Sequence, residues 1–276
     1  MTHYSLILTL TAPLQSWGSS SRYTRRLTEG VPTRSAIIGM IASAQGRDRT
    51  DDISDLSRLV VAVRVDQPGV PMTDYHTVEV SPGRTKITHR NYLQDGRFVV
   101  AVQSDDPAQL ESIRYCLENP TFSTFLGRRS CPTPPDMVRG IVPLSAVDAL
   151  HDHATWHALE SHGRSCPPSV SLPIYRECAP GESSGAQLRD VPISFHQDER
   201  QFGWRQVIID SYATMKNPGV RPAPIVTHMI RGPHCSPKQH TYERNPHDLL
   251  HSLIHQPHPP RSTKTPLVPP KPCTPR

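Results

Sequence analysis

Residues 60–66 (Val-Val-Ala-Val-Arg-Val-Asp) and 97–103 (Arg-Phe-Val-Val-Ala-Val-Gln) are two short runs dominated by β-branched residues. Such residues suit a pleated, half-buried surface, so both runs read as strands of one sheet. Adjacent strands normally close through a turn of roughly two to five residues. Here thirty residues, 67–96, stand between them. The insert holds two β-prone arms, Asp74-Tyr-His-Thr-Val78 and a second around Arg90-Asn-Tyr-Leu93, on either side of a Pro82-Gly83 turn. It also carries Arg84, Lys86, His89, Arg90 and Tyr92. The pattern predicts a hairpin, about 72–95, projecting from a sheet with a basic tip. Its charges either meet an anionic partner or form an ordinary solvated loop.

Charge is unevenly spread. Residues 1–130 carry net +2, residues 131–214 net −4, and residues 215–276 net +7. The basic pI of 9.0 therefore belongs to the tail and is not an argument that the body binds nucleic acid. Residues 215–276 also hold 14 of the 30 prolines, the composition of a chain that buries little, and a disordered basic tail is expected. That tail either adds salt-sensitive affinity for nucleic acid or has no role. Six scattered cysteines without a C-x-x-C pair, no signal peptide and no apolar stretch of the ~20 residues a bilayer requires predict a reduced, cytoplasmic protein without membrane contact.

In chain order, residues 4–10 read as a first strand. Residues 19–30 form a polar loop with Arg22, Arg25 and Arg26, which either track RNA or are solvated. A helix starts near Pro32-Thr-Arg-Ser35, presents Ile37, Ile38 and Ile41 on one face, and stops at Gly46. Asp106-Pro107 starts a second helix, closed by Asn119-Pro120. A last strand is expected around 122–126, and another run, 137–144, reads as a further strand. Strand, helix, strand, insert, strand, helix, strand is the βαββαβ order of an α+β, ferredoxin-like fold, shared with the RNA recognition motif. Three β-like runs near 170–175, 191–195 and 202–209 predict a smaller C-terminal antiparallel β part. The expected division is 1–132, 133–214 and 215–276.

Several stretches resemble the CasD family, the handle-binding subunits of type I-E CRISPR Cascade. They are Ala12-Pro-Leu-Gln-Ser-Trp-Gly18, Pro32-Thr-Arg-Ser-Ala-Ile-Ile-Gly39, Asp74-Tyr-His-Thr-Val78, Arg90-Asn-Tyr-Leu93 and Leu126-Gly-Arg-Arg-Ser-Cys-Pro132. A weaker likeness continues through Gln201-Phe-Gly-Trp-Arg205. The resemblance implies a ferredoxin-like core with a protruding thumb hairpin, binding to the 5′ handle of crRNA, and a noncatalytic role. It implies as partners the backbone subunit CasC, whose filament such proteins cap, and the large subunit CasA, with target DNA met only through the complex. No cofactor is implied. The insert matches the thumb, and Arg90 occupies the position of an arginine that breaks base stacking in the handle.

The expected RNA-binding set is Arg90, Arg84 and Lys86 on the hairpin, Arg34 and Ser35 at a helix start, Gly127, Arg128 and Arg129 in a loop, and Arg26 and Trp17. A guanidinium stacks on a splayed base and forks onto a phosphate. A helix N-terminus holds phosphate through its free N–H groups, although Arg34 and Ser35 equally suit simple capping. Gly127-Arg128-Arg129-Ser130 sets two forks beside a permissive glycine. Trp17 is either a packed aromatic or a base platform. His76, with Tyr75 and Lys86, raises the alternative of a metal-independent crRNA-processing endonuclease. Neither His151/His153/His157/His162 nor His247/His251/His255 has the spacing of a metal motif.

Overall fold

A computed structural model describes residues 2–19, 25–182, 185–196 and 198–219. The expected tail therefore lies outside the described residues from position 220 onward.

The chain opens with β1 (Tyr4–Thr11), two short strands β2 (Leu14–Gln15) and β3 (Arg25–Arg26), and helix α1 (Arg34–Ala44). Ile37, Ile38 and Ile41 of α1 are fully buried, as their spacing predicts. Each contributes about 1.5–3 kcal/mol of burial. Gly46, at φ +77°, ends the helix as expected, with Arg47 N–H returning to the Ala42 carbonyl at 3.0 Å. Residues 52–59 hold a 3-10 turn (Leu56–Arg58), followed by β4 (Val60–Gln67), β5 (Val70–Ser81), β6 (Arg84–Gln94) and β7 (Arg97–Ser104). Helix α2 (Pro107–Glu118) starts where Asp106-Pro107 predicts, the Asp106 carboxylate accepting from Ala108 N–H at 2.9 Å. Then come β8 (Val138–Val142), α3 (Ala146–Asp152), the short α4 (Glu160–Gly163), β9 (Ser169–Glu177), β10 (Ala186–Ser194) and β11 (Gln201–Lys216).

Most strands form one seven-stranded antiparallel sheet in the order β10-β11-β9-β4-β7-β1-β8. It runs across residue 132, since β8 to β11 all follow that position. Helices α1 and α2 cover part of one face. Helix α3 covers the other, where Ala146, Ala149 and Leu150 pack with Ile7, Ala62, Val99, Ala101 and Ile174.

The strand expected around 122–126 is absent. Thr121 and Phe122 N–H groups instead bond the Ala44 and Ser43 carbonyls, capping the end of α1. Leu126 N–H returns to Cys131 at 2.7 Å, closing a loop. The place beside β1 is taken by β8. β11 continues past 215 to Lys216, and Asn217 is buried, its amide bonded to Gly163, Cys166 and Pro167 carbonyls.

A second sheet carries the insert. β6 is its middle strand, with β5 on one edge and β2 and β3 on the other. The arms meet at a two-residue Pro82-Gly83 turn, with Gly83 at φ +73°. At the base, the Cβ that Gly69 lacks would lie 2.7 Å from Leu93 Cβ, so the crossing strands require a glycine there.

Candidate nucleic-acid interface

Alternation along a strand puts residues two apart on one face. In β6 the set Arg84, Lys86, Thr88, Arg90 and Tyr92 shares one side of the hairpin, while Thr85, Ile87, His89 and Asn91 share the other. The first set meets Asp74, His76 and Val78 across the ladder; the second meets Tyr75, Thr77 and Glu79. One side is therefore a basic stripe running from the tip to a buried tyrosine at the root. Arg84 and Lys86 are exposed there, and Arg90 is half-buried.

At the root, three more elements converge. β3 pairs with β6 in parallel, and Arg26 stands directly beside Arg90. Two arginines in adjacent register repel each other unless an anion lies between or above them. The residue across the ladder from Arg90 is Asp74, whose carboxylate is engaged by His76 Nε2 at 2.6 Å. Arg90 has no ion-pair partner among the described residues, and its Nε is buried without an acceptor.

The loop after Leu126 supplies the third arginine. Gly127 adopts φ +84°, and a Cβ on it would sit 1.6 Å from the Ser16 carbonyl oxygen. No other residue fits there. Ser16 N–H donates to Leu126 O at 3.1 Å and Cys131 N–H to Arg128 O at 2.8 Å, so the turn is fixed on both sides. It lays the Arg128 guanidinium over the Tyr92 ring, 4.6 Å from the centroid. Arg128 Nη2 donates to the Arg26 carbonyl at 2.8 Å, while Nη1 is buried without a partner. Tyr92 is 3% exposed, its hydroxyl 3.4 Å from Ser130 Oγ. Burial pushes its phenol up, but Ser130 and the Arg128 charge together outweigh that and hold it below its ordinary range. Arg129 is exposed and has no ion-pair partner among the described residues.

The structure thus brings Arg26, Arg90 and Arg128 together, with Lys86 and Arg84 further along the same side. It excludes others from the expected set. Arg34 does not face outward: its guanidinium pairs with Glu177 and donates to the Ser57 and Leu59 carbonyls at 2.7 and 3.1 Å. Its backbone N–H, at the start of α1, donates to Asp190 Oδ2 at 2.7 Å. A carboxylate already occupies the place assigned to phosphate, held in turn by Arg205 at 2.6 and 2.8 Å. Ser35 is buried in the same corner. Trp17, 1% exposed and edge-on to Phe98 at 6.4 Å, is core and not a base platform. Tyr92, which the sequence places on the hairpin, stands outside the expected RNA-binding set. Its place two residues after Arg90 in a strand was the available signal.

The histidines of 151–162 serve different neighbours. His153 and His157 stack with their Nε2 atoms 2.9 Å apart, His151 bonds Ser211, and His162 meets Trp156 edge-on. Among the described residues no three His, Cys, Asp or Glu groups are arranged to hold a metal. His247, His251 and His255 lie outside the described residues. No helix among the described residues is long and apolar enough to cross a membrane.

Residues 5–208 match the family described as CRISPR-associated protein (Cas_Cas5). The chain is 33% identical over 148 residues to the CRISPR system Cascade subunit CasD of Escherichia coli (strain K12), an overlap covering 46% of this chain and 66% of that protein. The matched stretch thus spans slightly less than two thirds of CasD. A solved CRISPR RNA-guided surveillance complex contains a chain superposing with TM-score 0.63 at 27% identity, over 91% of this chain and 99% of that one. A crystal structure of a Cas protein superposes with TM-score 0.55 at 30% identity, over 80% and 99% of the two chains.

Proposed function

This chain belongs to the Cas5 family of CRISPR-associated proteins, and on that footing we propose that it is the CasD-type subunit of a type I-E Cascade, gripping the 5′ handle of crRNA with its hairpin. The observation that carries the reading is the one-sided basic stripe of β6, continued at its root by Arg26 and Arg128 without a carboxylate to neutralise them. A single strand of RNA offers what this surface lacks, a line of phosphates with unstacked bases beside it. Arg90 sits mid-stripe, where a guanidinium reaches both a phosphate and a base face. Arg84, Lys86 and Arg129 add exposed charge around it.

The strands β1, β4, β7 and β8 with α1 and α2 make up a ferredoxin-like unit in this reading. The order β4-β7-β1-β8, antiparallel throughout, with a helix after the first and third of these strands in sequence, supports it. β9 to β11 extend the unit as its C-terminal β part. The protein works in the cytoplasm, capping the CasC filament beside CasA and meeting target DNA only through the complex.

The role is noncatalytic. Tyr75 and His76 are neighbours on one strand, so they face opposite sides of the hairpin. His89 lies across from Tyr75, while Lys86 shares the His76 side. Tyr75 and His76 are thus not presented to one substrate atom, which supports the reading. Full-length protein with Arg90→Ala is expected to bind handle RNA about tenfold more weakly at matched salt, with an unchanged melting curve. Equal affinity removes the hairpin's role, and specific cleavage of repeat RNA that His76→Ala abolishes favours the endonuclease instead.

A further inference from the structure

Arg128 enters the reading above only as charge at the root of the stripe and Tyr92 not at all, yet the two are fixed against each other. The phenol ring is buried at the hairpin root, and the guanidinium lies flat upon it at 4.6 Å. The turn bearing Arg128 is locked by the Gly127–Ser16 contact and by hydrogen bonds on each side. One edge of the fork is satisfied by the Arg26 carbonyl, and the other, Nη1, has no acceptor. Arg90 is one alternation back from Tyr92 on the same side, roughly 7 Å along the strand, and its Nε also lacks an acceptor. Arg26 stands beside Arg90. Two unsatisfied buried donors and three cations with no ion-pair partner among the described residues describe an anion seat, because a buried N–H left unpaired is unfavourable.

We infer that this root is a seat for a single backbone phosphodiester of single-stranded RNA, read by charge and geometry and blind to base sequence. The inference rests on the RNA-binding reading above and assigns it a division of labour. A base stacks poorly on the Tyr92–Arg128 pair, because the guanidinium already occupies the ring it would use. A phosphodiester fits, since its two non-bridging oxygens accept from the free edges of Arg128 and Arg90 while the Arg26 charge stands beside them. Tyr92 acts through Arg128 as a positioning residue: it holds the fork in plane, so little side-chain entropy is lost on binding.

The test is equilibrium binding of the full chain to single-stranded RNA of handle sequence, to oligouridine and to oligoadenine of equal length, each across a salt titration. Arg128→Gln is expected to weaken all three by a common factor near tenfold and to make the salt slope shallower by about 0.7. Tyr92→Phe retains the stack and stays near wild type. Tyr92→Leu loses it and falls towards Arg128→Gln, with a smaller change in slope. Arg128→Lys, which keeps charge but not the planar fork, recovers the slope and not the affinity. A loss confined to one RNA sequence, or an unchanged affinity and slope in Arg128→Gln, overturns the seat. Wild-type protein that binds the three RNAs equally, while Arg128→Gln still shows the common loss, overturns the handle assignment and leaves the seat standing.

Discussion

Arg64 and Arg34 hold carboxylate partners within the fold, whereas in the proposed function Arg90 and Arg128 carry their charge for a ligand. Arg64 is wholly enclosed, forked onto Asp66 at 2.7 and 3.2 Å and donating to the Leu150, His153 and Thr155 carbonyls. Removing one member of such a pair leaves a buried charge uncompensated. Arg64→Ala is expected to cost about 3–5 kcal/mol in urea unfolding. Arg34→Ala should likewise lower stability, while leaving the salt slope of RNA binding where it was; a slope shallower by about 0.7 would return Arg34 to the RNA-binding set. None of this separation was visible in the chain. Arg34 finds Glu177 and Asp190 more than 140 positions away, and no local pattern announces such partners. The place of Arg90 on the hairpin was legible because its neighbours in the strand, two residues either side, are also its neighbours in space.

Among the elements, the segment joining α3 to α4 straps the hairpin base. Trp156 Nε1 donates to the Asp66 carbonyl at 2.7 Å, His157 N–H to the Asp66 carboxylate at 2.8 Å, and Leu159 N–H to Gln67 Oε1 at 2.9 Å. Gln67 in turn reaches Asp95 O at 2.9 Å, across the root. The stacked His153–His157 pair lies within this strap. Burial holds both below the ordinary imidazole range, His157 down to about 4, and lowers His162 as well. A histidine whose folded pKa is lowered binds fewer protons than it does unfolded. Its stabilising contribution is therefore complete above about pH 6.5 and is lost as pH falls towards 4. Glu29, raised mainly by burial, works in the opposite sense as pH falls towards its ordinary carboxylate range. The urea midpoint is expected to be lower at pH 5 than at pH 7.5, and His157→Gln should flatten that difference; a midpoint independent of pH contradicts the buried neutral pair. The hairpin itself was legible as an element because two β-prone arms flank a Pro-Gly turn. The strand expected at 122–126 was not correctly legible: Phe122, Phe125 and Leu126 have strand-like composition, but their backbone is used to cap α1 and close the Arg128 loop. Replacing residues 70–94 with a short turn should leave the seven-stranded sheet folded by circular dichroism and thermal melting, yet remove handle binding. Retained binding would move the site to another element.

At the scale of the whole molecule, the chain divides its work between a rigid sheet and a projecting arm. The sheet supplies a frame of buried Val, Ile and Leu from β1, β4, β7, β9 and β11. The arm is largely exposed, with Tyr75, Val80 and Ile87 uncovered. The order of the main elements from β1 to α2 was readable from periodicity because each repeats its own local rule. The continuation of one sheet through β9 to β11 was not, since pairing between β4 and β9 joins residues more than 100 positions apart. The central claim is that one side of this arm meets the 5′ handle. It is tested most directly by photocrosslinking the full chain to handle RNA carrying 4-thiouridine and mapping the attached peptides. Crosslinks on residues 84–92 and 128–130 are predicted, suppressed by excess unlabelled handle and weakened by Arg90→Ala. Crosslinks that fall instead on the start of α1 or along β10 and β11, with the hairpin unmarked, would contradict the account.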